Sequence, residues 1–161
     1  MAHRMRGAVA PGDFGPVGGS GKIVEADETE RAPSRKTRVT GGRKRANHKR
    51  FVALVERDGK VRSAVIDGRG MSEVRNAVRQ NVAEGTVLHT DGAQAYKGLM
   101  PVGFHEAVDH DKAFARDSNN GRVHTNSAEG YFSLFKRGLV GTYQHSSPAH
   151  LPRYLAEFDF R

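Results

Sequence analysis

A predicted β-hairpin, an amphipathic helix and a further strand follow one another in the middle of this chain, and few architectures accommodate that order. Residues 50–57 and 60–66 are apolar, strand-like runs joined by an Asp-Gly dipeptide, which is typical of a tight hairpin turn. Residues 71–83 change to a helical period, with Ser72 at the predicted cap position, and residues 86–91 return to a strand pattern. Because a crossover helix links the hairpin to the next strand, the sequence predicts an α/β fold with a mixed sheet and helices on both faces.

The remaining segments extend this single domain on either side. A Gly- and Pro-rich leader at residues 1–22 has no hydrophobic period and is predicted to be disordered, so that the folded domain covers residues 23–161. The other predicted elements are a strand at 23–29, one or two helical turns at 93–99, a short strand at 104–110, a polar loop at 111–122, and helices at 126–139 and 147–160. We expect the last helix to be a truncated element that stops at Arg161.

Basic charge is concentrated in one segment. Of 26 Lys and Arg residues, nine lie between Arg31 and Arg50, where none of the 18 Asp and Glu residues occurs. A run of like charges with few apolar residues cannot bury itself, so residues 31–50 are predicted to form a basic loop. Such a loop can neutralise DNA phosphates and release counterions, or it can be a solvated loop without a partner. The candidate DNA contacts are Arg35, Lys36, Arg43, Lys44, Arg45 and Lys49.

Several classes of protein are excluded by composition. The chain has no Cys, which excludes a disulfide scaffold, a zinc site with Cys ligands and a thiol nucleophile. No run of residues approaches the roughly 18 consecutive apolar positions that a membrane helix needs. We therefore expect a cytoplasmic protein with no membrane partner.

Two acids stand at comparable places in predicted strands. Asp27 lies near the end of the first strand, and Asp91 ends the strand at 86–91. An acid inside an apolar strand is costly to bury unless it is paired or binds a cation. If the two strands are neighbours, both carboxylates face one cleft. A Mg²⁺ ion in that cleft could be bound by the two carboxylates and by a phosphate of the substrate. Alternatively, each acid is a strand-end cap or a turn residue.

The helix at 126–139 has a polar face and an apolar face. The polar residues Asn126, Glu129, Ser133 and Lys136 recur every three or four positions. This face can supply an oxygen ligand for a metal and a lysine for a DNA phosphate, or it can be an ordinary solvated surface.

Four segments together resemble a known family. They are VEADET at residues 24–29, VLHTD at 87–91, the helix that begins His-Thr-Asn at 124–126, and the tail at 141–161. The chain is similar to the catalytic core of bacterial insertion-sequence transposases of the DDE type, in the ISXO-like branch that is related to the eukaryotic Merlin elements. The resemblance covers about residues 22 to 161.

The resemblance implies a ribonuclease-H-like core, also called retroviral-integrase-like, that nicks DNA at element ends and joins the 3′-hydroxyl to target DNA with Mg²⁺ or Mn²⁺. It implies that Asp27 and Asp91 are catalytic metal ligands. The third position stays open, because Asn126 fits the Asp-Asp-Asn-Lys version of the signature while Glu129 stands seven residues before Lys136 and is the chemically stronger ligand. Asn126 and Glu129 are both kept as catalytic candidates, and Glu129 is the candidate for a third metal ligand.

Further expectations concern DNA and other copies of the chain. Lys136 and Arg137 are expected to contact DNA phosphate, and transposases of this kind work as homodimers on paired double-stranded ends. Full-length relatives carry an N-terminal zinc ribbon or helix-turn-helix, which predicts that this chain is a truncated copy without the end-recognition domain. The alternatives are a nuclease of the ribonuclease-H type and a catalytically inactive, basic DNA-binding relic.

Overall fold

The computed structural model of the chain describes residues 15–31, 49–66, 70–91, 96, 98–99, 103–109, 113–143 and 148–160. In these residues the helices are α1 (Met71–Asn81), α2 (Asn126–Gly141) and α3 (Leu151–Phe160), with a 3-10 turn at Pro148–His150. The strands are β1 (Val17–Gly18), β2 (Ile23–Arg31), β3 (Lys49–Glu56), β4 (Val61–Ile66), β5 (Val82–Ala83), β6 (Val87–Thr90), β7 (Phe104–Ala107), β8 (Arg116–Ser118) and β9 (Gly121–Val123). None of the described helices is long and apolar enough to cross a membrane.

A mixed sheet of five strands forms the centre of the fold, in the order β4-β3-β2-β6-β7. Strands β2, β3 and β4 are antiparallel, whereas β6 joins β2 in parallel and β7 joins β6 in parallel. The predicted hairpin of β3 and β4 is confirmed, and Asp58 at its turn has φ 56°. Asp is one of the few residues with a side chain that tolerates this left-handed conformation.

Helices cover both faces of this sheet, as predicted. Side chains alternate along β3, so Val52 and Leu54 face α1 while Phe51, Ala53 and Val55 face α2 and α3. The core on the α1 side includes Val24, Ala26, Val74, Val78 and Leu88, and the core on the other side includes Ala128, Phe132, Phe135, Leu139, Leu151 and Leu155. Because β3 is buried on both faces, its sequence is a nearly continuous apolar run.

Residues 15–22 belong to the folded part of the chain, which corrects the predicted start at Ile23. Val17 is 2% exposed, and β1 pairs in parallel with β5, Val17 opposite Val82. The same pairing ends α1 at Asn81, two residues before the predicted end. A two-residue strand carries no period of its own, so local sequence gives no signal for it. Residues 1–14 of the predicted leader lie outside the described residues.

The limits of the basic loop are also narrower than predicted. Arg31 is the last residue of β2 and is paired with Lys49, and Glu30 is paired with Arg50. The Arg50 guanidinium lies 2.8 Å from Glu28 Oε1. Charge pairing between β2 and β3 therefore supports the pairing of these strands into the basic run. Residues 32–48 lie outside the described residues.

Two smaller predictions fail for local reasons. A loop is predicted at residues 111–122, but β8 and β9 form a short hairpin there, tied to β7 where the Ser118 hydroxyl donates to Glu106 Oε2 at 2.9 Å. Its strands are polar and three residues long, so they show no alternation. The cap of α1 is Gly70 and not Ser72, whose hydroxyl donates to Glu73 within the first turn. Of residues 93–99, the described Tyr96 is fully buried.

Candidate active site

The two predicted aspartates come together at one end of the sheet. Strands β2 and β6 are parallel neighbours in a register that pairs Ala26 with Thr90. Asp27 and Asp91 are the next residues in this register, so they stand side by side where β6 ends. The prediction that Asp27 lies near the end of its strand is wrong, because pairing with β3 continues β2 to Arg31. Both carboxyl groups are partly buried. This is the edge of a parallel pair at which sites form in α/β sheets.

The carboxyl group of Asp27 is strongly perturbed. Burial, with further contributions from the negative charges of Asp91, Glu129 and Glu28, raises the pKa of Asp27 to about 6. The Glu28 backbone N–H donates to Asp27 Oδ1 at 2.7 Å and opposes this rise. The structure therefore brings Asp91 and Glu129 within electrostatic reach of Asp27, where their negative charges disfavour its ionised form.

Helix α2 lies along β2 and places its polar face over Asp27. At one end, the Ser127 backbone N–H donates to Glu25 Oε2 at 2.7 Å; at the other, Lys136 Nζ donates to Thr29 Oγ1 at 2.8 Å. Four strand residues and nine helix residues each span about 13 Å, so the two contacts are consistent with a helix parallel to the strand. Residues 25, 27 and 29 share one face of β2, and Asp27 lies between the two contacts.

The candidate residues on α2 differ in their surroundings. Asn126 is the first residue of the helix and is exposed. Glu129 is exposed one turn later, and the Thr125 hydroxyl donates to its Oε1 at 3.4 Å. Lys136 is exposed beyond its contact with Thr29, and its Nζ lies 5.8 Å from the centre of the Phe132 ring. The neighbouring Arg137 is exposed as well, and its Nε donates to the Ser133 carbonyl at 3.4 Å.

The donor set fits a hard divalent cation. Asp27, Asp91 and Glu129 offer carboxylate oxygens, which Mg²⁺ and Mn²⁺ prefer, and their mutual repulsion would be relieved by a cation. In the described part of the chain, no three His, Asp or Glu side chains are gathered closely enough to hold a metal ion as they stand. The carboxylates of Asp27, Asp91 and Glu129 are thus near one another, but they are not close enough for all three to bind one ion without movement.

A buried polar cluster beside the site is absent from the sequence predictions. Glu25 is fully buried on β2, where its Oε1 lies 2.8 Å from Arg57 Nε and 3.1 Å from His124 Nδ1. Arg57 also donates to His89 Nδ1 at 3.2 Å, and His89 is fully buried. A buried acid in an apolar strand needs a partner, and this signal, which singles out Asp27 in the sequence, applies more strongly to Glu25.

The two histidines of this cluster are held neutral near pH 7. Burial, together with the nearby Arg57 guanidinium, lowers the pKa of His89 to about 4, although Glu106 and Glu25 oppose the shift. Burial also lowers the pKa of His124, against the opposing charge of Glu25. Glu25 is therefore balanced chiefly by Arg57.

The predicted DNA contacts in the basic segment are mostly beyond what the structure describes. Lys49 is the first residue of β3 and is partly buried. The others, Arg35, Lys36, Arg43, Lys44 and Arg45, lie outside the described residues, so their role stays a prediction.

Comparison with known families gives a match over most of the chain. The model of the ISXO2-like transposase domain matches residues 16–161. The chain belongs to this family. The match confirms the predicted resemblance to DDE-type insertion-sequence transposases, and the mixed five-stranded sheet with helices on both faces agrees with their ribonuclease-H-like fold. Membership implies DNA as the partner of this transposase domain. Searches of curated proteins and of solved structures give no match.

Proposed function

We propose that this transposase domain cleaves DNA at the ends of an insertion sequence and joins the released 3′-hydroxyl to target DNA. The observation that carries the proposal is the pair of aspartates at neighbouring positions of β2 and β6, with the pKa of Asp27 raised by burial and further by the charges of Asp91 and Glu129. In cleavage, a water oxygen forms a bond to phosphorus while the bond to the 3′-oxygen breaks. In joining, that 3′-oxygen forms the new bond and a target 3′-oxygen leaves.

Asp27, Asp91 and Glu129 would hold Mg²⁺ or Mn²⁺ through their carboxylate oxygens. A divalent cation in such a site activates the attacking oxygen and stabilises the leaving oxygen of a phosphodiester. The protein's own contribution is to bring the three carboxylates together from β2, β6 and α2. Ionisation of Asp27 near neutral pH would be favoured by the same cation.

Glu129 is the third ligand that the surroundings favour. Its charge contributes to the raised pKa of Asp27, which puts it within electrostatic reach of the aspartate pair. A carboxylate is also a stronger ligand for a hard cation than the amide of Asn126. Asn126, one turn earlier on the same face, would then contact substrate or a bound water.

Lys136 would hold a DNA phosphate next to the carboxylates. Its ammonium group is exposed and lies at Thr29, two residues beyond Asp27 on the same face of β2. Lysine binds phosphate as a point charge, so it can track the backbone without reading bases. Arg137 and the basic segment at 31–50 would extend this contact along double-stranded DNA. The proposal also includes a homodimer on paired ends and a cytoplasmic location, where bacterial DNA lies.

Metal binding is the direct test, because it needs no knowledge of the element ends. Calorimetry with Mn²⁺ should show binding by the wild-type chain and its loss in the Asp27→Ala, Asp91→Ala double variant. The double variant Glu84→Ala, Asp117→Ala is the matched control, since it removes the same charge from exposed positions. Mn²⁺-dependent nicking of supercoiled plasmid DNA should follow the same pattern.

Three outcomes separate the alternatives. Wild-type binding that survives in the Asp27→Ala, Asp91→Ala variant would contradict the proposed site. No metal binding and no nicking, with DNA binding retained, would indicate a catalytically inactive DNA-binding relic. Nicking without any joining of a 3′-hydroxyl to target DNA would favour a nuclease.

A further inference from the structure

The N-terminus of α2 is capped by a residue that lies about a hundred positions earlier in the chain. Glu25 Oε2 accepts the backbone N–H groups of Ser127 at 2.7 Å and of Ala128 at 3.4 Å, and Glu25 Oε1 accepts the Ser127 hydroxyl at 3.1 Å. The first N–H groups of a helix have no acceptor within the helix, and the side chain of the local cap residue Thr125 accepts none of them. A buried carboxylate on β2 therefore takes the place of a local cap.

Burial of the Glu25 carboxylate is unfavourable for the free energy of folding. Glu25 is fully buried, and its counter-ion Arg57 is also largely covered. A buried ion pair often contributes no more stability than apolar residues of the same volume, because both charges lose their hydration. An apolar pair, however, has no hydrogen-bond acceptor, so it could not hold two backbone N–H groups at one fixed point on β2. Stability alone thus gives no reason for a charge here.

The hydrogen bonds at Glu25 determine the position of α2 along β2, relative to Asp27 and Asp91. Glu25 precedes Asp27 by two residues on the same face of β2, and Ser127 precedes Glu129 by two residues on α2. The contact at Glu25 therefore sets where the carboxylate of Glu129 stands relative to Asp27. A sliding movement of one helical residue is about 1.5 Å, which is enough to spoil a metal-ligand distance.

We propose that Glu25, neutralised by Arg57, is a positioning residue that fixes the register of α2 on β2 and so sets the geometry of the carboxylate site. The inference rests on the proposed function for the site itself, but the position of α2 can be measured without a metal. Lys136 at Thr29 anchors the far end of the helix, and it is exposed, so the buried contact at Glu25 is the more rigid of the two.

The test uses the full chain with the double variant Glu25→Leu, Arg57→Leu, which removes both charges together. Because apolar residues can replace a buried ion pair, this variant is expected to keep a thermal unfolding midpoint close to that of wild type. Glu25→Gln is the milder second variant and decides the test if the double variant does not fold. Glu56→Gln is the matched control, since Glu56 is also a buried acid that pairs with a basic residue, Lys22, and accepts a backbone N–H, that of Gly18 at 3.0 Å, but next to β1 rather than at α2.

The first readout is the position of α2. The chain contains no Cys, so spin labels can be attached uniquely at Ser133→Cys on α2 and Asn76→Cys on α1, both exposed positions. Electron–electron double resonance should show a single narrow distance in wild type and in Glu56→Gln. A shifted or broadened distance distribution is expected in the Glu25 variants. A distribution identical to that of wild type in these variants would overturn the proposal.

The second readout is Mn²⁺ affinity. If Glu25 were only a structural cap, its variants would lower this affinity no more than the control variant does. Affinity should fall about tenfold in the Glu25 variants, the range seen when support of a metal site is lost, and by much less in Glu56→Gln. Equal decreases in Glu25→Gln and Glu56→Gln would contradict the positioning role. If wild type binds no Mn²⁺, the proposed function fails, and the spin-label distances alone decide the role of Glu25.

Discussion

At the scale of single residues, the site depends on the carboxyl group of Asp27, whose surroundings disfavour its ionised form. Asp27 has its pKa raised to about 6 by burial first and by neighbouring negative charge second. An ionised Asp27 therefore opposes folding above the pKa that the residue has in the unfolded chain, since the folded state binds the proton more tightly. An unfavourable electrostatic free energy of this kind is expected at a site where a bound cation or substrate compensates it.

Asp27→Asn should accordingly stabilise the metal-free protein in a pH-dependent way. The gain should be absent near pH 4, grow between pH 4 and pH 6, and level off above pH 6 at about 1–2 kcal/mol after allowance for solvent screening. Thermal unfolding at pH 4 and pH 7.5 measures it, with the exposed Asp117→Asn as the control. A gain that is the same at both pH values would contradict the electrostatic explanation.

At the scale of elements, α2 joins the core to the chemistry. Phe132, Phe135 and Leu139 pack on the sheet, while Glu129 and Lys136 occupy the polar face above Asp27. Sequence periodicity predicted both faces of this helix. It could not say which polar residue stands nearest the aspartates, because that depends on how far the helix is displaced along β2.

Single alanine substitutions on α2 separate the two candidates for the third ligand. Glu129→Ala should weaken Mn²⁺ binding by about tenfold or more, while Asn126→Ala should change it by less than about threefold, because a hard cation favours the carboxylate. Calorimetry and plasmid nicking measure both effects. Unchanged binding and nicking in both variants would remove the polar face of α2 from the site.

Two glycines of α2 test how this helix packs on α3. A Cβ at Gly138 would overlap the ring of Phe158, whereas a Cβ at Gly130 meets nothing within 4 Å. Gly138→Ala should therefore destabilise the fold by about 1–3 kcal/mol through overpacking. The matched variant Gly130→Ala should stabilise it by about 0.5–1 kcal/mol, since Ala is the better helix former. Chemical denaturation measures both, and a stabilising Gly138→Ala would disprove the close packing at Phe158.

At the scale of the whole molecule, basic charge and the carboxylate site are separate features of one transposase domain. Six of the nine basic residues between Arg31 and Arg50 lie between β2 and β3, in the segment that follows the strand that carries Asp27. Lys136 adds a basic group above the same strand.

Replacing Arg35, Lys36, Arg43, Lys44 and Arg45 by Gln should reduce affinity for duplex DNA of any sequence. The slope of log affinity against log salt should decrease by about 0.9 for each DNA phosphate that the variant no longer neutralises, because fewer counterions are released. Lys136→Gln should reduce the slope by about one unit. Fluorescence anisotropy at several salt concentrations measures this, and an unchanged slope in the five-fold variant would show that the segment does not bind DNA.

Local sequence was sufficient for much of this protein because its main elements carry their own periods. The alternating runs of β3 and β4, the helical period of α1 and the two-faced pattern of α2 predicted a mixed sheet with helices on both faces, and motifs in β2, β6 and α2 predicted the family. The same patterns gave no sign of β1, β5, β8 and β9, which are two or three residues long and are stabilised by pairing rather than by pattern.

Only the tertiary structure could decide the role of Glu25. Its carboxylate meets the backbone of Ser127, 102 positions later, and its charge is balanced by Arg57 from the turn between β3 and β4. The sequence pattern predicted that Asp27 and Asp91 lie at comparable places in strands, but their adjacency depends on β6 lying in parallel beside β2. Periodicity arises between neighbours along the chain, whereas a site is made of residues that become neighbours when distant segments bury their apolar faces together.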